Sequence, residues 1–336
     1  MSTRPQIDPP YLLFLGDARD ELAAKTARGV FVFRPEWCLG QIRLAGCNAR
    51  LDLPEMTVDE AAAKGAKSLI VGVANAGGVV SDSWIDTLVA ALEAGLDLAS
   101  GLHVRLGDLP AVREAAERRG RRLFDARHPP QAFKVGTGTK RAGKRLLTVG
   151  TDASVGKMYA TLALEAEWRR RGVACSFRAT GQTGIFIAGE GVSVDAVVAD
   201  FISGATEWLT PENAPDHWDL VEGQGSLFHP SYAGVTLGLI HGAQPDAIVV
   251  CHEPTRTHMR GLPEWPLPEL GACIEANLQA ARLTNPAVVC AGLCVNTQAL
   301  GEAEAEALLA DLGRAHGLPC VDPIRTGVGA IADRLI

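Results

Sequence analysis

Closely spaced cysteines are missing from this chain. Its eight cysteines (Cys38, Cys47, Cys175, Cys251, Cys273, Cys290, Cys294 and Cys320) form no C-x-x-C pair, so a metal cluster is not supported. Those inside apolar runs such as AIVVCHE and AVVCAGLCVN are expected to be reduced thiols packed in strands. Long hydrophobic runs are missing too. The run that opens at Tyr11 stops at Gly16, too short for a signal-peptide core, and none elsewhere approaches the about 18 residues of a membrane span. The chain is expected to be soluble and cytoplasmic, with no membrane partner. A basic excess is the third absence: 32 Lys and Arg stand against 39 Asp and Glu, a net charge of -7. That excludes nucleic acid as a partner, and a small anionic substrate would need cations gathered locally. There is no internal repeat and no low-complexity tract.

What is present is an ordinary globular composition, 47% hydrophobic and 21% charged over 336 residues, enough for about two domains of roughly 150 residues. YLLFLG reads as a strand. AAAKGAKSLIVGVANAGG reads as a helix end, a strand and a glycine turn, and SWIDTLVAALEAGLDLASGLH as an amphipathic helix feeding another strand. This alternation predicts parallel βαβ units. No G-x-G-x-x-G follows the first strand, so a Rossmann-like fold is expected without its nucleotide. DARHPPQAFKVGTGTKRAGKR, rich in Pro, Gly and basic residues, breaks the pattern near residues 128 to 144. The expected division is 1–135 and 136–336. The fold class is α/β: a Rossmann-like N-terminal domain, then a P-loop NTPase-like doubly wound parallel-sheet domain.

Two stretches compete as a phosphate cradle. Gly138 to Arg145 spells G-x-x-x-x-G-K-R, and Gly150 to Met158 spells G-T-D-A-S-V-G-K-M. A cradle needs a strand before it and a helix after it, so that backbone amides and a helix N-terminus converge on the anion. The first stretch leads into a strand at Leu146. The second follows the strand LLTV and opens the helix KMYATLALEAEW, so it is the expected loop. Met158 stands where a Thr hydroxyl would hold magnesium, which weakens a γ-phosphoryl transfer reading.

The loop resembles the G-T-D-x-x-x-G-K-T variant of dethiobiotin synthetases, as does DLVEGQGS their V-E-G-x-G motif and LCVN their adenine-side strand. A second resemblance spans nearly the whole chain. GLHVRL, VGTDASVGKM, TGQTGIFIAGEGVSVDAVVADFISGATE, EGQGSLFHPSYAGVTLGLIHGAQPDAIVVCHEPTR and VNT together are similar to a P-loop family long classed as a domain of unknown function. It includes the D-glutamate N-acetyltransferases (DgcN-like proteins). That family carries Met after the loop lysine. The resemblance implies transfer of acetyl from acetyl-CoA to the amine of D-glutamate; the alternative is an ATP-dependent ligase or kinase of the dethiobiotin synthetase type. Coenzyme A is an ADP-like diphosphate with a thiol arm, so Gly150, Thr151, Asp152, Ser154, Gly156 and Lys157 are expected to line its pyrophosphate. Asn296 is expected to meet the adenine edge, and magnesium is left open as a companion.

Amine acetylation needs a base, an oxyanion donor and cations for carboxylates, and in open α/β sheets such groups gather beyond the carboxyl ends of strands. Glu222 after DLV, His229 in the following loop, His252 after AIVVC and Asp195 in SVDAVVADFISG are the candidate bases. Glu222 is also a candidate metal ligand. Arg178, Gln182 and Thr183 in RATGQTG, together with Arg256, are the candidates to grip an acidic amino acid. His103 and Arg105 form a strand-end cluster without an assigned task. An enzyme of this size is expected to be a homo-oligomer, by symmetry a dimer.

Overall fold

The computed structural model describes residues 5–74, 78 and 80–336. The chain packs as two units, Met1–Gln131 with Gly181–Ala196, and Ala132–Thr180 with Val197–Ile336. The helix after the first P-loop crossover therefore belongs to the first unit, although its sequence interrupts the second.

In the first unit the order is β1 (Tyr11–Gly16), α1 (Lys25–Phe33), β2 (Cys38–Arg43), α2 (Val58–Ala63), β3 (Ser68–Val71), α3 (Asp82–Glu93), β4 (Asp97–Ser100), α4 (Pro110–Arg119) and β5 (Leu123–Asp125). The strands form one parallel sheet in the order β2-β1-β3-β4-β5. Local signals set the helix ends. Thr57 and Glu60 close a capping box on α2, and α4 runs from Pro110 to a left-handed Gly120, the asymmetry those residues favour. Phe14, Val71 and Leu98 pack with Trp84, Leu88 and Val112 in one core. Asp17 accepts the Trp84 indole N–H at 2.9 Å. The glycine turn expected at NAGG lies, but for Gly78, outside the described residues.

The second unit runs β6 (Lys144–Gly150), α5 (Lys157–Arg170), β7 (Cys175–Arg178), then, after α6 (Gln182–Ala188) of the first unit, α7 (Ile202–Leu209), β8 (Trp218–Val221), α8 (Ala233–Ala243), β9 (Ala247–His252), a hairpin of β10 (His258–Met259) and β11 (Leu262–Pro266), α9 (Leu270–Arg282), β12 (Val289–Val295), α10 (Glu302–His316), β13 (Cys320–Val321) and α11 (Gly329–Ala332). Its six-stranded sheet has the order β13-β12-β9-β6-β8-β7, all parallel. The chain goes to one side of β6 for β7 and β8 and to the other for β9, β12 and β13. The reversal makes β6 the switch point, the position beyond whose carboxyl end open α/β sheets bind ligands. Leu146, Leu220, Val249 and Ala291 face α5 and α11 around Trp168, whose ring meets Trp218 edge-on, 6.0 Å between centroids.

The rejected basic stretch is a strap. Lys140 pairs with Asp246 at 2.8 Å, Arg141 donates to the carbonyls of Thr210 and Gly242, and the fully buried Arg145 donates to those of Arg141 and Ala142. Its cations serve the protein's own oxygens. All eight cysteines are free, and burial pushes the Cys251 thiol up to about 12. Among the described residues no helix is long and apolar enough to cross a membrane. Truncating Trp168 to Ala should destabilise the protein by about 3–5 kcal/mol through the cavity it leaves, measured as a fall in denaturation midpoint; an unchanged midpoint would refute this packing.

Candidate functional site

Strand β6 delivers the chain to Gly150, where a Cβ would come within 2.8 Å of both the Cys251 carbonyl and Val155 Cγ2. Ser154 and Gly156 then take left-handed φ angles of 56° and 98°, which turns the chain tightly enough to start α5 at Lys157. No side chain caps that helix. The amides of Gly156, Lys157 and Met158 have no hydrogen-bond partner among the described residues, so they are open to an anion, as a helix N-terminus favours. Lys157 is buried and its Nζ donates to the Asp152 carbonyl at 2.7 Å. Burial depresses its pKa to about 8, opposed in part by the charges of Asp152 and Glu222. These groups fit a diphosphate. Met158 offers a thioether where a hydroxyl would hold magnesium, and among the described residues no group of three His, Cys, Asp or Glu is arranged for a metal ion.

Asp152 is engaged by the protein's own donors. Its fully buried carboxylate accepts from the Ala153 amide at 2.6 Å, Arg256 Nη1 at 2.8 Å and the Arg260 amide at 2.7 Å. Arg256 also donates to the carbonyls of Ala153 and Ser154 and pairs with Glu253. Its guanidinium is thus spent on the loop, which argues against the expected clamp on a substrate carboxylate. His229, an expected base, accepts the Ser231 amide on Nδ1 at 3.1 Å, and its Nε2 lies 3.3 Å from the Arg260 carbonyl. Both ring nitrogens are thus engaged by backbone groups, the Ser231 amide on Nδ1 and the Arg260 carbonyl beside Nε2. The ring stacks on Tyr232, with centroids 4.3 Å apart.

The neighbouring strand ends converge on the same edge. Glu222 follows β8, is buried, and accepts the Thr180 amide on Oε2 at 2.9 Å, while its carbonyl takes the Thr180 hydroxyl at 2.6 Å. Gly223 has no substitute: a Cβ there would lie 1.7 Å from the Thr148 carbonyl oxygen. His252 at the end of β9 meets Thr151 Oγ1 through Nδ1 at 3.0 Å, and burial lowers its pKa. Asn296 sits one residue past β12, hydrogen-bonded to the His252 carbonyl through its amide. Arg178, expected to grip substrate, lies buried with its Nε 2.6 Å from Asp219 Oδ1. Asp219 was not anticipated. It sits mid-strand in WDLV, where only the register of β7 on β8 shows that Arg178 has a partner.

Gln182, Thr183 and Asp195 belong to the first unit, so the structure divides the expected substrate residues between the two. Gln182 Oε1 accepts from Arg127 Nη2 at 2.8 Å, and Asp195 lies 3.7 Å from Arg127 Nη1. Arg127 carried no motif signal. It lies just before the domain boundary expected near residues 128 to 144.

Residues 134–332 match the domain of unknown function DUF1611 in its P-loop part, and residues 42–129 match its Rossmann-like part. The chain belongs to the DUF1611 family. Two proteins named D-glutamate N-acetyltransferase are similar over almost their whole length. One, from Tritonibacter scottomollicae, is 56% identical over 98% of this chain and 99% of its own; another, from a Pseudoalteromonas species, is 48% identical over the same shares. The crystal structure of a DUF1611 family protein from Anabaena variabilis superposes with a TM-score of 0.82 at 30% identity, over 97% of this chain and 99% of that one.

A diphosphate held on the loop would meet the Lys157 ammonium, which is present below its depressed pKa and lost above it. ADP affinity, measured by titration calorimetry, should therefore hold up to pH about 8 and then fall by up to about tenfold per pH unit. A flat profile between pH 7 and 9.5 would place the lysine outside the binding reaction. Gly223→Ala should weaken ADP binding as well, because the loop and β8 must part to admit the methyl group.

Proposed function

We propose that this DUF1611 protein transfers an acetyl group from acetyl-CoA to the amine of D-glutamate. The observation that carries the reading is likeness at 56% and 48% identity, across 98% of the chain, to proteins named for that activity. The site supports it. A loop that presents free amides and a lysine can hold the pyrophosphate of coenzyme A, while Met158 withholds the hydroxyl that magnesium-assisted γ-phosphoryl transfer would use.

When bound, acetyl-CoA supplies an activated acyl group on a thioester. The new bond joins nitrogen to the acyl carbon and the carbon–sulfur bond breaks. Of the two protons the ammonium gives up, one ends on the thiol and the other in solvent. The arm between pyrophosphate and thioester reaches roughly 15 Å by the extension of a chain of that length. Residues that touch the loop therefore serve the phosphate end. Lys157 and the amides of Gly156 to Met158 bind it; Thr151 with His252, and Glu222 with Thr180, hold the surrounding strand ends in place. In this reading Asn296, beyond β12, meets the adenine edge.

Purified protein mixed with D-glutamate and acetyl-CoA should release free thiol only when both are present. Phosphate release from ATP, with no thiol release, would replace this reading with the ligase or kinase alternative. Lys157→Ala should weaken coenzyme A binding by more than about tenfold, the scale of one lost charge-assisted contact; unchanged affinity would remove the loop from the reaction.

A further inference from the structure

Acetyl transfer to D-glutamate demands cations for two carboxylates and an anion for an ammonium. In the P-loop unit, Arg178 and Arg256 are already paired with Asp219, and with Asp152 and Glu253. The first unit offers a different arrangement. Segment Gly181–Ala196 returns to it, and α6 packs on α1. Arg127 Nη2 donates to Gln182 Oε1 at 2.8 Å and Nε donates to the Gly101 carbonyl at 3.2 Å. Gly101 directly follows β4, and Arg127 stands two residues beyond β5. Both lie at the carboxyl edge of that sheet, the edge where open α/β sheets bind ligands. The packing there is tight: a Cβ on Gly101 would come within 3.0 Å of Gln182 Oε1.

Two of the three guanidinium nitrogens are thereby fixed, which sets the plane and leaves Nη1 for another partner. Asp195 Oδ2 stands 3.7 Å from Nη1, beyond hydrogen-bond range. The Asp195 side chain is 52% exposed and that of Arg127 26%. An exposed pair held this loosely contributes little to the fold. We infer that Arg127 and Asp195, oriented by Gln182, form a binding site for the zwitterionic head of an α-amino acid acceptor. Arg127 takes the carboxylate and Asp195 the ammonium. A cation and an anion this close are complementary to the charges on an α-carbon. Arg105, exposed on the loop after β4, adds a positive charge to the same sheet edge. The site rests on the acetyl-transfer reading, and it gives the strand-end cluster of the first unit a task.

The full-length protein tests it by calorimetric titration with D-glutamate and by steady-state kinetics. Arg127→Gln should raise both Kd and KM for D-glutamate by about tenfold or more, with KM for acetyl-CoA unchanged, and Arg127→Lys should recover part of the loss. Asp195→Asn, at an exposed position with little to lose in stability, should weaken D-glutamate but not glutarate, which lacks the ammonium. Wild-type affinity for D-glutamate in both Arg127→Gln and Asp195→Asn would overturn the site while leaving the reaction intact. Conversely, tight D-glutamate binding that these variants abolish, with no thiol release by the wild type, would support the site and sink the reaction.

Discussion

The Asp152 carboxylate is closed off from solvent, yet it holds three donors: the next amide in its own loop, the Arg256 guanidinium and the Arg260 amide. Taking a carboxylate out of water costs several kcal/mol unless hydrogen bonds and a counter-charge replace the lost hydration. Here the counter-charge and two of the three donors come from the segment that follows β9, so the loop and that segment are fixed together. Arg256 extends the grip to two loop carbonyls, and the Arg260 carbonyl meets His229. The loop's conformation is consequently fixed by the protein's own bonds, with the amides of Gly156, Lys157 and Met158 left without a partner among the described residues.

Beneath the loop, contact distances set the rest. Gly223 approaches Thr148 so closely that no side chain fits, and its amide donates to the Thr148 hydroxyl at 3.0 Å, which in turn meets Thr161 of α5 at 2.9 Å. The β6–β8 register, Leu147 opposite Val221, brings Glu222 and Gly223 level with the loop. The motif V-E-G-x-G therefore has a packing reason as well as a chemical one.

The first unit follows the same architectural rule with different contents. After β1, where a dinucleotide fold would carry its glycine loop, Asp17 caps an indole. Its polar groups gather beyond β4 and β5 instead, and two of them (Gln182 and Asp195) come from a segment that lies, by sequence, inside the P-loop unit. Insertion of one element into another unit costs little when both chain ends of the insert are close to where the chain leaves.

Much of this was legible without coordinates. Apolar runs ending in glycine or a charged residue located β1, β6, β8, β9 and β12, and the strand-loop-helix order chose Gly150–Lys157 over the basic stretch before it. Side-chain roles were harder to read. Arg178, Arg256 and His229 look like ligands because they are polar and follow strands. Their partners, Asp219, Asp152 and the Arg260 carbonyl, lie 31 to 104 residues away in sequence. The sequence by itself determined the two α/β units, the phosphate loop and the family, since these rest on local periodicity, turn chemistry and ordered motifs. Tertiary structure alone decided which cations are already neutralised and which unit holds Gln182 and Asp195, because a side chain's free valence depends on what folds against it.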